Sequence, residues 1–306
     1  MTRMFLLSIL GLVALPLLSQ PTHADDGYQV KVREGQHADV VRPDGDPILR
    51  YMYQRDTSSP ERSFDTAKVF AHVMAPGGKN TLTKGAGGKF PHHRGIFIGW
   101  NRIQYEGKRN DLWHVRNTEQ AHQEFLTTQG GTDGGEITSK IAWIGVDGKT
   151  LIEEKRTYRV VAAKDAHAVI DFVSELTAAT GPLELNGDPE HAGVQFRPSQ
   201  QVAENKSATY TFHQPGIDPK KQPGLPWVAN TFRVDDQTWT VQHMSHPSNP
   251  KDAIWSAYRD YGRFGPFSVI ELAKGETVTL RYRFRVTAGK APSREVMSQH
   301  YAAFAK

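Results

Sequence analysis

Histidine and arginine side chains lie together in one short stretch of the chain. His92, His93 and Arg94 follow the glycine-rich run 84–88 and precede the apolar run 96–98. Glycine and proline before an apolar run predict a loop that leads into a buried strand. Loops held by rigid strands often carry functional residues, and histidine titrates close to neutral pH. These three residues are therefore the first candidates for binding or acid–base chemistry; the alternative is that the histidines only satisfy backbone carbonyls.

A second cluster of aromatic and polar residues follows at 110–114. It contains Asp111, Trp113 and His114. Tryptophan offers a flat apolar face that can stack on the C–H face of a sugar ring, while aspartate and histidine can bind the hydroxyls. The alternative is that Trp113 belongs to the core and Asp111 caps a turn. Because histidine recurs here, we expect the two segments to converge on one pocket.

A third polar cluster, residues 185–197, leads from a turn onto a strand. It contains His191, Gln195 and Arg197 at positions of the same parity. In a strand, side chains of the same parity point to one face of the sheet. We expect these three residues to contact a ligand, with an ordinary polar strand edge as the alternative.

The fourth cluster, residues 246–262, contains His246, Asn249 and Arg259. Two prolines restrict its loop, and a restricted loop loses less conformational entropy on folding. We expect all three side chains to contact the same ligand as the earlier clusters. The alternative for Arg259 is a salt bridge with the aspartate that follows it.

Alternation of apolar and polar residues predicts the strands that must hold these clusters. Leu280, Tyr282, Phe284 and Val286 alternate with arginines, which indicates a half-buried strand with an arginine-rich outer face. Further strands are predicted at residues 69–74, 141–144, 151–153, 168–173, 193–196 and 238–241, between turns rich in glycine and proline.

Helical patterns are scarce, and the main candidate is residues 293–305 with Ser293 as N-cap. Many closely spaced strands with few helices predict an all-β fold, an antiparallel β-sandwich with few short helices, one of them near the C-terminus. No internal repeat or low-complexity linker interrupts the chain, so residues 25–306 are expected to form a single domain.

The first 24 residues have the pattern of a secretory signal peptide. Arg3 precedes the apolar stretch 4–19, and Thr22 and Ala24 place small residues where a signal peptidase cleaves. Cleavage is expected after Ala24, giving a secreted or periplasmic protein. The alternative is an uncleaved membrane anchor, which Pro16 and the short apolar stretch disfavour. Residues 25–306 contain no second apolar run of membrane-spanning length.

Composition excludes several classes of function. The chain has no cysteine, which excludes thiol catalysis, iron–sulfur clusters and zinc–thiolate sites. The net charge of +4 comes without a run of lysine or arginine, so no nucleic-acid partner is expected. No known metal-binding or cofactor motif matches, and no cofactor is expected. A metal site assembled from His92, His93, His114, His191 and His246 stays open as an alternative.

The order of the clusters resembles that of the PmoA-like family, also designated DUF6807, which is common in secreted proteins of planctomycetes and Bacteroidetes. The matching segments are residues 92–95, 111–113, 171–175, 192–197, 246–250 and 259–262. Leu112 replaces the phenylalanine of the family pattern, which leaves the neighbouring tryptophan in place. The resemblance implies a galactose-mutarotase-like β-supersandwich, a fold widely used for carbohydrate chemistry.

The leading hypothesis is therefore a carbohydrate-active protein that binds a sugar or oligosaccharide in a groove on the concave sheet. If it is an enzyme of the epimerase, hydrolase or lyase type, a histidine and a carboxylate would share acid–base work. His93 or His114 is the expected acid and Glu175 the expected base, with Glu153 as second choice. The alternatives are a glycan-binding module without catalysis and a metal-dependent enzyme. The sequence leaves the oligomeric state open.

Overall fold

The structure, a computed structural model, describes residues 27–306. The expected signal peptide, residues 1–24, lies outside the described residues. Among the described residues, no helix is long and apolar enough to cross a membrane.

Strands make up most of the regular structure. The first ten are β1 (Gln29–Arg33), β2 (His37–Val41), β3 (Pro47–Met52), β4 (Phe70–Val73), β5 (Ile96–Trp100), β6 (Arg102–Tyr105), β7 (Lys108–Asn110), β8 (Glu119–Gly131), β9 (Gly134–Ile144) and β10 (Thr150–Val161). The others are β11 (Ala168–Ala178), β12 (Leu183–Asn186), β13 (Ala192–Phe196), β14 (Thr209–Phe212), β15 (Trp227–Val234), β16 (Gln237–Ser245), β17 (Ile254–Trp255), β18 (Pro266–Phe267), β19 (Ile270–Leu272) and β20 (Thr277–Ala288). The described helices are α1 (Pro60–Asp65), α2 (Gln200–Asn205) and α3 (Arg294–Phe304).

Two large antiparallel sheets contain most of these strands. The six-stranded sheet has the order β1-β2-β3-β4-β5-β13, and the eight-stranded sheet has the order β14-β15-β16-β20-β11-β10-β9-β8. A four-stranded sheet, β19-β12-β6-β7, and the pair β17-β18 complete the sheet structure of the described residues.

The two large sheets pack face to face around the main apolar core. Tyr51 of β3 and Tyr158 of β10 have ring centroids 5.8 Å apart, and the Tyr158 hydroxyl donates to the backbone carbonyl of Ile96 at 3.1 Å. Contacts of this kind join residues of both sheets into one buried cluster. The predicted antiparallel β-sandwich is confirmed.

Strand β20 shows the predicted alternation. Its apolar residues at 280, 282, 284 and 286 are buried, while Arg283 lies on the outer face and binds Asp171 through two hydrogen bonds of 2.6 and 2.8 Å. Helix α3 packs over this face, and the Ser293 hydroxyl accepts from the Val296 N–H as an N-cap. The predicted C-terminal helix is therefore confirmed, with its cap.

A buried ion pair lies between the sheets. The Arg156 guanidinium donates to the two oxygens of Glu154 at 2.8 and 2.7 Å, and both side chains have no exposed surface. Glu154 also accepts from the Trp143 ring at 2.7 Å and from the Ser174 hydroxyl at 2.6 Å. Because every partner is satisfied, this pair is a structural element of the core.

Candidate functional site

The loop that carries His92 and His93 is closed at its base by backbone hydrogen bonds. Gly95 N–H donates to the Lys84 carbonyl at 2.8 Å, and Arg197 N–H donates to the Gly95 carbonyl at 2.8 Å. Gly95 has φ +50, and a Cβ at this position would lie 2.1 Å from the Ala71 carbonyl oxygen. Glycine is therefore required here. The predicted loop into a buried strand is what the structure shows, since β5 is buried along its whole length.

Four histidines from three segments converge at the end of this loop, and we call them the histidine cluster: His92, His93, His114 and His191. The His92 ring centroid lies 4.3 Å from that of His93 and 4.4 Å from that of His114. The rings of His114 and His191 are 5.1 Å apart. The expected convergence of the first three polar clusters is therefore present.

Two of these histidines are oriented by an aspartate three residues earlier. His114 Nδ1 lies 2.9 Å from Asp111 Oδ2, and His191 Nδ1 lies 2.8 Å from Asp188 Oδ1. Each aspartate also accepts a backbone N–H, from His114 at 2.8 Å and from Glu190 at 3.0 Å. A carboxylate only accepts, so Nδ1 of each ring carries a proton. The Nε2 atom of each ring is then left as the group available for proton transfer.

Hydrogen bonding keeps both aspartates ionised. Burial raises the pKa of Asp111, but hydrogen bonds from the His114 ring and backbone and the charge of Lys68 outweigh it, and the net pKa is lowered. Burial likewise raises the pKa of Asp188, and the hydrogen bond and charge of His191 reverse that effect. Each ionised carboxylate therefore holds its histidine ring in one orientation and one tautomer.

His92 and His93 have a different environment from the other two histidines. Burial, followed by the charge of Lys68, lowers the pKa of His92 to about 2. His93 is only 2% exposed, and burial and the charge of Arg263 lower its pKa well below the usual value. Both rings are neutral at pH 7. A neutral histidine is a poor general acid, so of the two predicted acids the structure favours His114 over His93.

Lys68 joins the first two segments from below. Its ammonium group donates to the backbone carbonyl of His92 at 3.3 Å and to that of Trp113, and it lies 4.7 Å from the Phe97 ring centroid. Burial lowers the pKa of Lys68 well below its usual value. This lysine fixes the spacing of the two loops that carry the histidines.

Trp113 forms the floor of the site rather than an open wall. Its side chain has no exposed surface, and it packs in a separate apolar cluster with Phe70 and Phe97. The expectation of a tryptophan face available for sugar stacking is corrected: burial among aromatic rings makes Trp113 part of the core. Phe90 and Tyr261, with ring centroids 5.0 Å apart, also pack against the His93 ring.

Three predicted ligand contacts hold neighbouring structure instead. Arg94 donates to the backbone carbonyls of Phe64 at 2.8 Å and Asp65 at 3.0 Å, so it anchors the end of α1. Gln195 is buried and accepts from Arg263 at 3.0 Å. Arg259 donates to Glu190 at 3.1 and 2.7 Å, so its salt bridge is with Glu190 and not with Asp260.

Glu175 and Glu153 lie on the outer face of the eight-stranded sheet. The Glu175 carboxylate is 3.0 Å from Lys155, and Glu153 is 3.8 Å from Lys140. Strand alternation explains this, because Ser174 and Glu154 are the neighbours that point inward. The structure does not bring the expected base into the histidine cluster, and Asp111 and Asp188 are the carboxylates found there.

His246 and Asn249 also lie away from the cluster. The His246 ring packs against Phe304 of α3 at 5.4 Å, and Asn249 donates to the Arg281 carbonyl at 2.7 Å. The expectation that His246 shares a pocket with His92 is wrong, because its loop follows β16 to the α3 side of the sheet. Within residues 27–306, no three histidine or carboxylate side chains are arranged to hold a metal ion.

Sequence reasoning missed Asp188, Lys68 and Arg263 as site residues. The sequence does contain a signal for Asp188. Each histidine that an aspartate orients occurs in the spacing Asp-x-x-His, at 111–114 and 188–191. Arg263 follows the Arg-Asp-Tyr-Gly segment by one position and lies beneath the cluster, with its guanidinium carbon 5.8 Å from the Trp113 ring centroid. Lys68 has no sequence pattern that would have identified it.

Solved structures of similar shape include heparan sulfate lyase HepC from Pedobacter heparinus, at 8% identity and a TM-score of 0.40 over 88% of this chain. This chain spans 37% of the length of that lyase. A putative aldose 1-epimerase from Escherichia coli K12 matches at 9% identity and a TM-score of 0.36, over 85% of this chain and 98% of its own. The GalM/aldose epimerase homologue from C. elegans matches at 6% identity and a TM-score of 0.36, over 86% of this chain and 99% of its own. At such scores the likeness carries no argument about activity.

The sequence comparisons give a family and no individual relative. No curated protein matches the chain. The profile of a family described as "Family of unknown function (DUF6807)" matches residues 39–302, a range that contains every residue of the histidine cluster. The chain belongs to the DUF6807 family.

Proposed function

We propose that the protein is a carbohydrate-active enzyme whose histidine cluster binds a sugar or oligosaccharide, with His114 and His191 as its acid–base pair. One observation carries the proposal: two histidines, each oriented by its own aspartate, have rings 5.1 Å apart at the opening of the cluster. A histidine base oriented by a carboxylate is a recurrent arrangement in general acid–base catalysis.

The two histidines can divide the work. An imidazole that is neutral accepts a proton through Nε2, and its partner in the imidazolium form returns one to another position of the substrate. Epimerisation, hydrolysis and elimination at a sugar carbon all need such a pair. The proposal therefore covers these reaction types together.

The surroundings of the pair support a polyhydroxylated substrate. Side chains that bind hydroxyl groups lie at the rim, where Glu190 accepts from the Tyr258 hydroxyl at 3.0 Å and from Arg259. Aromatic rings lie beside them, with Phe90 5.4 Å from His93. Polar side chains combined with apolar ring faces are typical of sugar sites.

A glycan-binding module without catalysis is the second candidate. The neutral state of His92 and His93, caused chiefly by burial, favours it, because such rings serve as hydrogen-bonding groups only. A bell-shaped dependence of turnover on pH would support the enzyme, and binding without turnover would support the module.

A thermal-shift screen of sugars tests the proposed site. At a ligand concentration of about 100 Kd, a specific sugar is expected to raise the Tm of the wild-type protein by about 5 °C. The double variant His114→Gln/His191→Gln should lose this shift, whereas His246→Gln, altered outside the cluster, should keep it. An equal shift in all three proteins would place the binding site elsewhere.

We also propose that the protein is exported and that its mature form, a single domain, starts at Asp25. The charged start, the apolar stretch 4–19 and Ala24 support this. Mass spectrometry of the exported protein should show loss of residues 1–24, and an intact segment 4–19 would contradict it. After cleavage the protein is proposed to stay outside the membrane and to bind no nucleic acid.

The identity of this family with the one called PmoA-like, and an origin of the protein in planctomycetes or Bacteroidetes, are predictions from the sequence.

A further inference from the structure

Two arginines beneath the histidine cluster are buried without a carboxylate partner. Arg197 and Arg263 each have no exposed surface. Within residues 27–306, neither forms a salt bridge, whereas the buried Arg156 is paired with Glu154. A buried guanidinium without a counter-charge is costly unless its N–H groups are hydrogen-bonded. Arg94 is equally buried and has no salt bridge in the described part of the chain, but each of its three nitrogens donates to a backbone carbonyl.

In both arginines one part of the guanidinium is anchored and another is left open. The Nη1 of Arg197 donates to the Tyr261 carbonyl at 2.6 Å and the Pro198 carbonyl at 3.0 Å. The Nη1 of Arg263 donates to Gln195 at 3.0 Å and to the Ser256 hydroxyl at 2.8 Å. The Nε and Nη2 atoms of both are buried and have no hydrogen-bond partner in the described residues.

The open edge is the one that binds carboxylates elsewhere in the same chain. Arg50 uses its Nε and Nη2 for the two oxygens of Asp39, both at 2.8 Å. Arg283 uses the same two atoms for Asp171, at 2.6 and 2.8 Å. Two parallel N–H groups match the two oxygens of a carboxylate. The unbonded Nε and Nη2 groups of the two buried arginines are therefore spaced to bind a carboxylate.

Each arginine packs against an aromatic ring that also packs against His93, which places both beside the histidine cluster. The guanidinium carbon of Arg197 is 5.1 Å from the Tyr261 ring centroid, and that ring is 6.1 Å from His93. Arg263 lies 5.8 Å from the Trp113 ring, which is 5.7 Å from His93. Both ring nitrogens of His93 and the Trp113 Nε1 are likewise buried without a partner.

We propose that the inner end of the histidine cluster binds the carboxylate of a sugar acid through Arg197 and Arg263. The sugar part rests on the proposed function, while the oxyanion part rests on the two open arginine edges. Neutral hydrogen-bonding groups, such as those of His93, would complete the binding of the acid group or of the adjoining ring oxygen.

Phe90 packs over two rings at this inner end of the cluster. Its ring packs against His93 at 5.4 Å and Tyr261 at 5.0 Å, and its backbone has φ +56. A bulky residue with positive φ is strained. Rotation of the segment around Phe90 would relieve that strain and uncover the His93 and Tyr261 rings, against which a ligand of the arginine edges would lie.

Titration calorimetry with matched sugars tests the proposal. Glucuronate and galacturonate are compared with glucose and galactose, and inorganic sulfate, phosphate and acetate serve as free oxyanions. We expect wild-type protein to bind at least one uronate about ten- to a hundredfold more tightly than its neutral counterpart. Arg263→Met and Arg197→Met should each remove that difference. Arg283→Met, which alters a paired arginine on the outer face, should retain it.

The outcomes separate this proposal from the proposed function. Equal binding of neutral sugars and uronates, unchanged in both variants, would overturn the carboxylate site and leave the sugar site standing. Acetate binding that is as tight as uronate binding and is lost in Arg263→Met would support the oxyanion site but contradict a sugar acid as its ligand. Binding of sulfate or phosphate alone would also contradict a sugar acid as the ligand. The same conclusion would follow if no compound bound at about 10 mM.

Discussion

Arg263→Met is expected to leave the stability of the ligand-free protein unchanged or raised, while Arg156→Met lowers the free energy of unfolding by about 3–5 kcal/mol. Both arginines are fully buried, so the two changes remove similar volumes. Arg156 is paired with the Glu154 carboxylate, whereas Arg263 has no carboxylate partner in the described residues. The comparison therefore isolates the effect of a carboxylate partner on stability.

The physical reason lies in the charge left behind. Removing Arg156 leaves the Glu154 carboxylate buried without its cation, although the Trp143 and Ser174 hydrogen bonds remain. Removing Arg263 leaves only neutral groups, and Ser256 still donates to Gln195 at 3.1 Å. A group kept for ligand binding at a cost in stability behaves in this way.

Urea denaturation of the two variants provides the measurement, with the change in midpoint read at an unchanged m-value. A loss for Arg263→Met as large as that for Arg156→Met would contradict the account. Arg263 would then be a structural residue, and its open Nε–Nη2 edge would carry no functional meaning.

His114→Gln is expected to lower kcat by about a hundred- to ten-thousand-fold, with little change in Tm. Glutamine can keep a hydrogen bond to Asp111 but cannot exchange a proton at neutral pH. The side chain is partly exposed, so the substitution leaves no large cavity. His191→Gln should have an effect of the same order, because its ring has the same arrangement with Asp188.

Steady-state kinetics on the sugar identified by the binding screen measures this loss, with circular dichroism to follow Tm. His93→Gln is the internal comparison within the cluster: since His93 is neutral, we expect it to raise KM more than it lowers kcat. Losses in kcat that track the folded fraction in all three variants would favour the glycan-binding module without catalysis.

Much of the architecture could be predicted from local pattern. Alternation in β20 identified its buried face, and the Ser293 cap identified α3. The loop before β5 was recognisable from its glycines and the apolar run that follows. These features depend on neighbours in sequence, which is why a single chain reveals them.

The role expected for Glu175 is wrong on local grounds, because the alternation of Phe172, Ser174 and Leu176 as inward residues already places Glu175 on the outer face. The other differences arise where long-range packing decides. His246 was grouped with His92 because both occur in polar loops, but only the pairing of β16 with β20 shows which side its loop takes. Neither Lys68 nor the burial of Trp113 has a local signature.

The most direct test of the central claim is a crystal structure of the mature protein with the tightest-binding sugar from the screen. The account predicts the sugar in contact with the Nε2 atoms of His114 and His191, with its acid group about 3 Å from the open edges of Arg197 and Arg263. A sugar bound on the outer face near Glu175 or His246, with the cluster unchanged and the two arginine edges still without a partner, would contradict it.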